Sequence, residues 1–165
     1  MSEAIRPATE ADLTAIADIY AYYVEHTTAT WRSEVPGLDY WREVLATTTE
    51  LELPFAVLTD GEILGFAYLA PIRGTQGWRH TVEDTIYLRP DATGGGRGRR
   101  LLTALLDAAD PDRVWQVIAM ISSEVTASLV LHQKLGFTEA GRLPGVGSKA
   151  GLRLDCVVLQ RSLKP

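Results

Sequence analysis

The sequence predicts an α+β fold built on a mixed central β-sheet flanked by helices. Two observations carry this. Two β-rich runs, Phe55–Thr59 and Glu62–Ala70, flank Asp60-Gly61, a strong two-residue hairpin signal. A third run, Thr81–Leu88, leads through a glycine-rich turn into a helical segment and then a buried-type strand, Arg113–Ile121. Antiparallel hairpins and a parallel crossover in one chain call for a mixed sheet.

The remaining elements follow in order. Ile5–Pro7 reads as a short first strand. Thr9 and Asp12 form a capping-box pattern, followed by Leu13, Ile16, Ala17, Tyr20 and Val24 at helical spacing. The aperiodic stretch His26 to Gly37 reads as a loop, and Leu38, Trp41, Val44 and Leu45 mark a second helix. Pro71 to His80 is an irregular connection, and Arg89-Pro90-Asp91 stops the strand before it. Arg99–Ala109 is a third helix, ended by Asp110-Pro111. Ala127–Leu135 is a fourth, closed by Gly136, and Phe137–Leu143 and Leu154–Ser162 are the last strands.

A chain of 165 residues with 46% apolar content fits one domain over 1–165. No apolar run reaches the roughly 20 residues of a membrane helix, and the N-terminus has no signal-peptide pattern. A lone Cys156 suits a reducing compartment, so a cytoplasmic protein without membrane association is expected. Net charge of −5 opposes a nucleic-acid partner. His26 and His80 show no metal-ligand spacing, and no metal is expected.

The run Gly94-Gly95-Gly96-Arg97-Gly98-Arg99 lies between a strand and a helix. The first amides of a helix lack intrahelical partners, and the dipole adds positive charge there. Glycines let that backbone close on a phosphate. A Walker loop is excluded because no Gly-Lys-Ser/Thr follows, and a dinucleotide fingerprint because its third glycine is missing.

Residues Thr93 to Gly98 resemble the acyl-CoA pyrophosphate loop of GNAT acetyltransferases. Nearly the whole chain resembles the phosphinothricin and methionine sulfoximine N-acetyltransferase branch. The resemblance is carried by Ile5-Arg6-Pro7-Ala8 with Asp12, Thr28-Ala29-Thr30-Trp31, Thr81 to Leu88, Leu131-His132-Gln133-Lys134-Leu135-Gly136-Phe137, and Lys149-Ala150-Gly151 with Asp155. Two positions depart: Thr93 stands where the family carries Gln or Arg, and Val125 where asparagine is expected.

The resemblance implies a GNAT fold and transfer of acetyl from acetyl-CoA to the primary amine of a small, amino-acid-like molecule. Homodimers are the branch's habit. Glu83 matches the position of the general base, needed because an alkyl ammonium has a pKa of roughly 10. His132 stands where many relatives carry a tyrosine acid, and it shares a helix face with Ser128. The implied cofactor contacts are Ile86, Tyr87, Leu88, Gly94, Gly95, Gly96, Arg97, Gly98, Arg99, Val125 and Ser128. Trp31 is expected to form an apolar wall, and Arg73 or Arg79 to clamp a substrate carboxylate. Loop composition is also compatible with polyamine, amino-sugar or protein N-terminal acceptors. A non-catalytic acyl-CoA-binding module is the reading from another class.

Overall fold

The computed structural model describes residues 2–164. The first strand, β1 (Ala4–Pro7), ends at a short 3-10 turn, Glu10–Asp12, that feeds α1 (Leu13–His26). The predicted Thr9–Asp12 pairing sets this junction: the Thr9 amide and hydroxyl both donate to Asp12 Oδ2, at 2.8 and 2.9 Å. Arg6 adds two further bonds to the carboxylate, at 2.7 and 2.8 Å. The Arg6 guanidinium, helped by Thr9, overrides the burial that opposes ionisation and holds the Asp12 carboxyl at about 2.

The chain continues as α2 (Leu38–Glu50), β2 (Phe55–Thr59), β3 (Ile63–Pro71), β4 (Thr81–Leu88) and α3 (Arg97–Asp107). It ends as β5 (Gln116–Ser122), α4 (Thr126–Lys134), β6 (Thr138–Lys149) and β7 (Leu152–Ser162). All seven strands form one sheet in the order β1-β2-β3-β4-β5-β7-β6. Every pairing is antiparallel except β4 with β5, so the sheet is mixed as predicted.

Each face of the sheet carries its own core. Leu13, Ile16 and Trp41 of α1 and α2 pack on Val57, Phe66 and Tyr68 on one side. Leu101, Leu102 and Leu105 of α3 pack with Leu69, Val117 and Leu159 on the other. The alternation of the central strands distributes side chains between these two cores.

Two boundaries differ most from the sequence reading. The fifth strand begins at Gln116 rather than Arg113, because Arg113 and Val114 both bond back to Asp110 O in a turn. The sixth strand runs to Lys149 rather than ending at Leu143. It passes Pro144 through a register shift between Leu143 and Gly147. Proline is tolerated there because β6 lies at the sheet edge. The β6–β7 hairpin then closes on Ala150-Gly151, both at positive φ (50° and 75°). No helix among the described residues is long and apolar enough to cross a membrane.

Candidate active site

The parallel contact between β4 and β5 is short. It pairs Thr81, Val82 and Glu83 with Gln116, Val117 and Ile118 and goes no further. Beyond that point β4 stays on β3 up to Leu88, while β5 stays on β7 up to Ser122. The two strands thus separate like the arms of a fork. A cavity of about 990 Å³ occupies the gap, with Ile86, Tyr87 and Leu88 along one arm and Ala119, Met120 and Ile121 along the other.

At the wide end of the fork lies the glycine turn. Gly94, Gly95 and Gly96 take φ of 85°, 60° and 76°, a left-handed run that side-chain-bearing residues adopt only with strain. Gly96 caps α3, and the first helix-type bond runs from Arg100 N to Gly96 O at 3.0 Å. The Gly98 and Arg99 amides of the first turn have no intrahelical partner. Gly94, Gly96, Arg97, Gly98 and Arg99 line the cavity. An elongated ligand ending in phosphate fits this cradle. Arg97 is less free than expected: Glu3 holds it at 2.7 Å and also binds Arg100 at 2.5 Å. The anion-binding capacity therefore rests on backbone amides and Arg99.

Val125 caps α4 and lines the cavity with Ser128, but its apolar side chain makes no capping hydrogen bond.

At the narrow end of the fork is Glu83, the last β4 residue paired with β5. Burial, with the neighbouring Asp84 charge second, pushes its carboxyl up to about 7. Successive strand residues face opposite sides, so Glu83 shares the α1–α2 face with Thr85 and Tyr87. Asp84 faces α4, where its Oδ2 lies 2.8 Å from His132 Nε2.

His132 is only 2% exposed. Its Nδ1 lies 2.7 Å from the Ser128 carbonyl oxygen, so both ring nitrogens lie against oxygen atoms of the chain. Burial acts to lower its pKa, but the Asp84 hydrogen bond and charge, with the Ser128 carbonyl, raise it. His132 borders the cavity, with both ring nitrogens engaged by groups of the chain. Asp84 Oδ1 is buried without a hydrogen-bond partner.

The loop between α1 and α2 forms the cavity wall across from Glu83, and four elements hold it. Tyr20 Oη and Thr30 Oγ1 are 2.6 Å apart, and Tyr87 Oη donates to Ala29 O at 2.8 Å. Buried Lys149, at the end of β6, donates to Thr30 O and Tyr23 O at 3.0 and 3.2 Å. Trp31 lines the cavity, its Nε1 donating to Met120 O at 3.3 Å. Its ring lies against Gly147, where any Cβ would run into it.

Arg73 and Arg79 are not brought to the cavity. The 3-10 turn Gln76–Trp78 folds their loop onto itself: Arg79 Nη1 bonds Gln76 O at 3.1 Å, and the Arg73 guanidinium sits 5.3 Å from the Trp78 ring centroid. Besides Arg97 and Arg99, the arginine that lines the cavity is Arg32, which sequence reasoning did not single out. Asp84 and Lys149 were also visible only as parts of matching stretches. The adjacency of Glu83 and Asp84 was the available signal, since a strand sends them to opposite faces. Among the described residues, no cluster of His, Cys, Asp or Glu is placed to hold a metal ion.

A forked sheet with a glycine turn at its mouth and a buried carboxyl at its base suits acyl transfer to an amine. The family comparison makes this specific: residues 5–158 match the acetyltransferase (GNAT) domain, and the chain belongs to that family. It is 38% identical to an L-methionine sulfoximine/L-methionine sulfone acetyltransferase of Pseudomonas aeruginosa, over 100% of this chain and 97% of the relative. Identity is 39% to a phosphinothricin N-acetyltransferase of Alcaligenes faecalis, over 96% and 82% of the two chains. The structure of yncA from Salmonella typhimurium, solved with its cofactor acetyl-CoA, superposes with a TM-score of 0.96 at 34% identity, covering 100% of this chain and 96% of that one. The chain is an N-acetyltransferase.

Proposed function

We propose that the protein transfers the acetyl group of acetyl-CoA to the primary amine of a small amino-acid-like molecule of the methionine sulfoximine, methionine sulfone or phosphinothricin type. The observation that carries the reading is Glu83, a carboxylate raised to about 7 at the closed end of a fork whose open end is a phosphate cradle. The two relatives named above support the acceptor class, and the acetyl-CoA bound in the Salmonella structure supports the donor.

Acetyl-CoA supplies an acetyl group activated as a thioester. The amides of Gly96, Gly98 and Arg99 would hold its pyrophosphate, and the free edge of β4 from Ile86 to Leu88 would hold its arm. Thr93 and Val125 do not prevent this, because the cradle is made of backbone. Glu83 takes the proton from the acceptor ammonium onto its carboxylate. A carboxyl near 7 does so far better than an unperturbed one, and it is still about half ionised at neutral pH. His132 acts as a positioning residue: it holds Asp84, whose charge helps set the Glu83 proton affinity. The strands hold both reactants in one gap, which contributes orientation.

A binding module would have no use for a base tuned to neutral pH. Polyamine and amino-sugar acceptors are separated from amino acids by a thiol-release assay with acetyl-CoA across all three classes. Turnover confined to amino-acid-like amines supports the proposal, and preference for polyamines overturns it. The proposal extends to a homodimer, supported by Leu143, Val146 and Leu152, which stand 43%, 60% and 52% exposed on the β6–β7 hairpin. Sedimentation analysis tests it.

A further inference from the structure

Four exposed or partly exposed cations line the cavity: Arg32, Arg97, Arg99 and Lys134. They are divided between its ends. Arg97 and Arg99 belong to the first turn of α3, and Arg97 is occupied by Glu3. Lys134 ends α4, on the same face of the sheet as α3. Arg32 stands apart, directly after the Thr27–Trp31 wall, on the α1–α2 face that also carries Glu83.

Its setting is built rather than incidental. The guanidinium carbon lies 4.4 Å from the Tyr40 ring centroid, within cation–π range. Tyr40, Tyr68, Ala70 and Glu83 continue the same wall of the cavity. In the β3–β4 ladder Tyr68 is opposite Thr85 and Ala70 opposite Glu83, so Tyr68 and Glu83 are diagonal neighbours on one face. Such neighbours lie roughly 7–8 Å apart. Arg32 has no carboxylate partner among the ion pairs of the described residues. A guanidinium without a carboxylate partner, lining the same cavity as the Glu83 carboxylate, matches a molecule carrying both an anion and an ammonium.

We infer that Arg32 recognises the carboxylate of the acceptor amino acid through a bidentate pair while Glu83 faces its amine. This rests on the proposed acetyl transfer to an amino-acid-like amine and adds to it the group that selects for the acid. Arg32 takes the place that the sequence offered to Arg73 or Arg79.

The test compares L-methionine sulfone with 3-(methylsulfonyl)propylamine, which keeps the amine and sulfone but lacks the carboxylate. Arg32→Gln should raise KM for the amino acid about tenfold or more, with kcat and the KM for acetyl-CoA little changed. The same variant should treat the decarboxylated amine as the wild type does, and Arg32→Lys should recover part of the loss. Calorimetric titration of L-methionine sulfone into the protein saturated with CoA reads the same weakening without chemistry. An equal loss on both amines, or no loss on either, overturns the assignment. A wild-type enzyme that turns over no amine while still binding acetyl-CoA overturns the acetyl-transfer reading itself, and the Arg32 assignment with it.

Discussion

Glu83 and Asp84 are consecutive in β4 yet serve opposite faces of the sheet. Asp84 is bound to His132 at 2.8 Å, and its charge contributes to holding the Glu83 proton. The kcat/KM profile should therefore fall on the acid side with an apparent pKa near 7, because the base must be ionised. Asp84→Asn removes the repulsion and should move that limb to lower pH. The same change leaves a buried imidazole without its counter-charge, at a cost of about 3 kcal/mol in denaturant unfolding. A limb that stays in place in Asp84→Asn would separate the two residues electrostatically.

Glu83→Gln should lower turnover by about 10²–10⁴-fold, with acetyl-CoA affinity retained in calorimetry. The deficit should shrink as pH rises and free amine becomes abundant. Near wild-type turnover across neutral pH would remove Glu83 from the reaction.

Stability should move the other way. The folded-state pKa of Glu83 lies above its ordinary value of 4.5, so its contribution is present below 4.5 and is lost as pH rises through about 7. At pH 8 Glu83→Gln should be more stable than the wild type by on the order of 1–2 kcal/mol, and at pH 4 the two should converge. Paired urea titrations at the two pH values measure this.

Val125→Asn places a good capping side chain at a helix start that has none. It should raise stability by about 1 kcal/mol and tighten acetyl-CoA by about one hydrogen bond, also on the order of 1 kcal/mol. Thermal unfolding with and without acetyl-CoA separates the two effects. A gain in stability without a gain in affinity would show that the side chain serves the helix alone.

Ala150 holds a positive φ of 50° in a two-residue turn followed by Gly151 at 75°. Asparagine tolerates that conformation better than alanine, and Asn-Gly is the preferred pair for such a hairpin. Ala150→Asn should stabilise the protein by about 0.5–1 kcal/mol, read as a higher urea midpoint with an unchanged slope.

Much of this architecture was legible in the sequence because it is written in local patterns. Asp60-Gly61 marked the β2–β3 hairpin, helical periodicity marked α1, and Gly94 to Gly98 marked the turn before α3. The extension of β6 past Pro144 was not legible, since proline rules depend on whether a strand lies at an edge. Sites assembled across the chain were harder still. Arg32 reaches the cavity because α1 and α2 pack on the α1–α2 face of β4, which no short window records. The pairing of Asp84 with His132 spans 48 residues. Arg73 and Arg79 show the converse: a local turn folds their loop onto itself, and they do not line the cavity.

The loop facing Glu83 is anchored by Lys149, whose ammonium reaches across 119 residues of sequence to the Thr30 carbonyl. The glycine turn at the other end of the cavity is a single contiguous stretch. The two halves of the site therefore have different mutational economies. Drift along the edge hairpin reshapes the acceptor wall from behind, leaving the phosphate cradle intact, whereas the cradle tolerates almost no change at Gly94, Gly95 or Gly96. A scaffold wired in this way can exchange one amine for another over time while remaining faithful to a single donor.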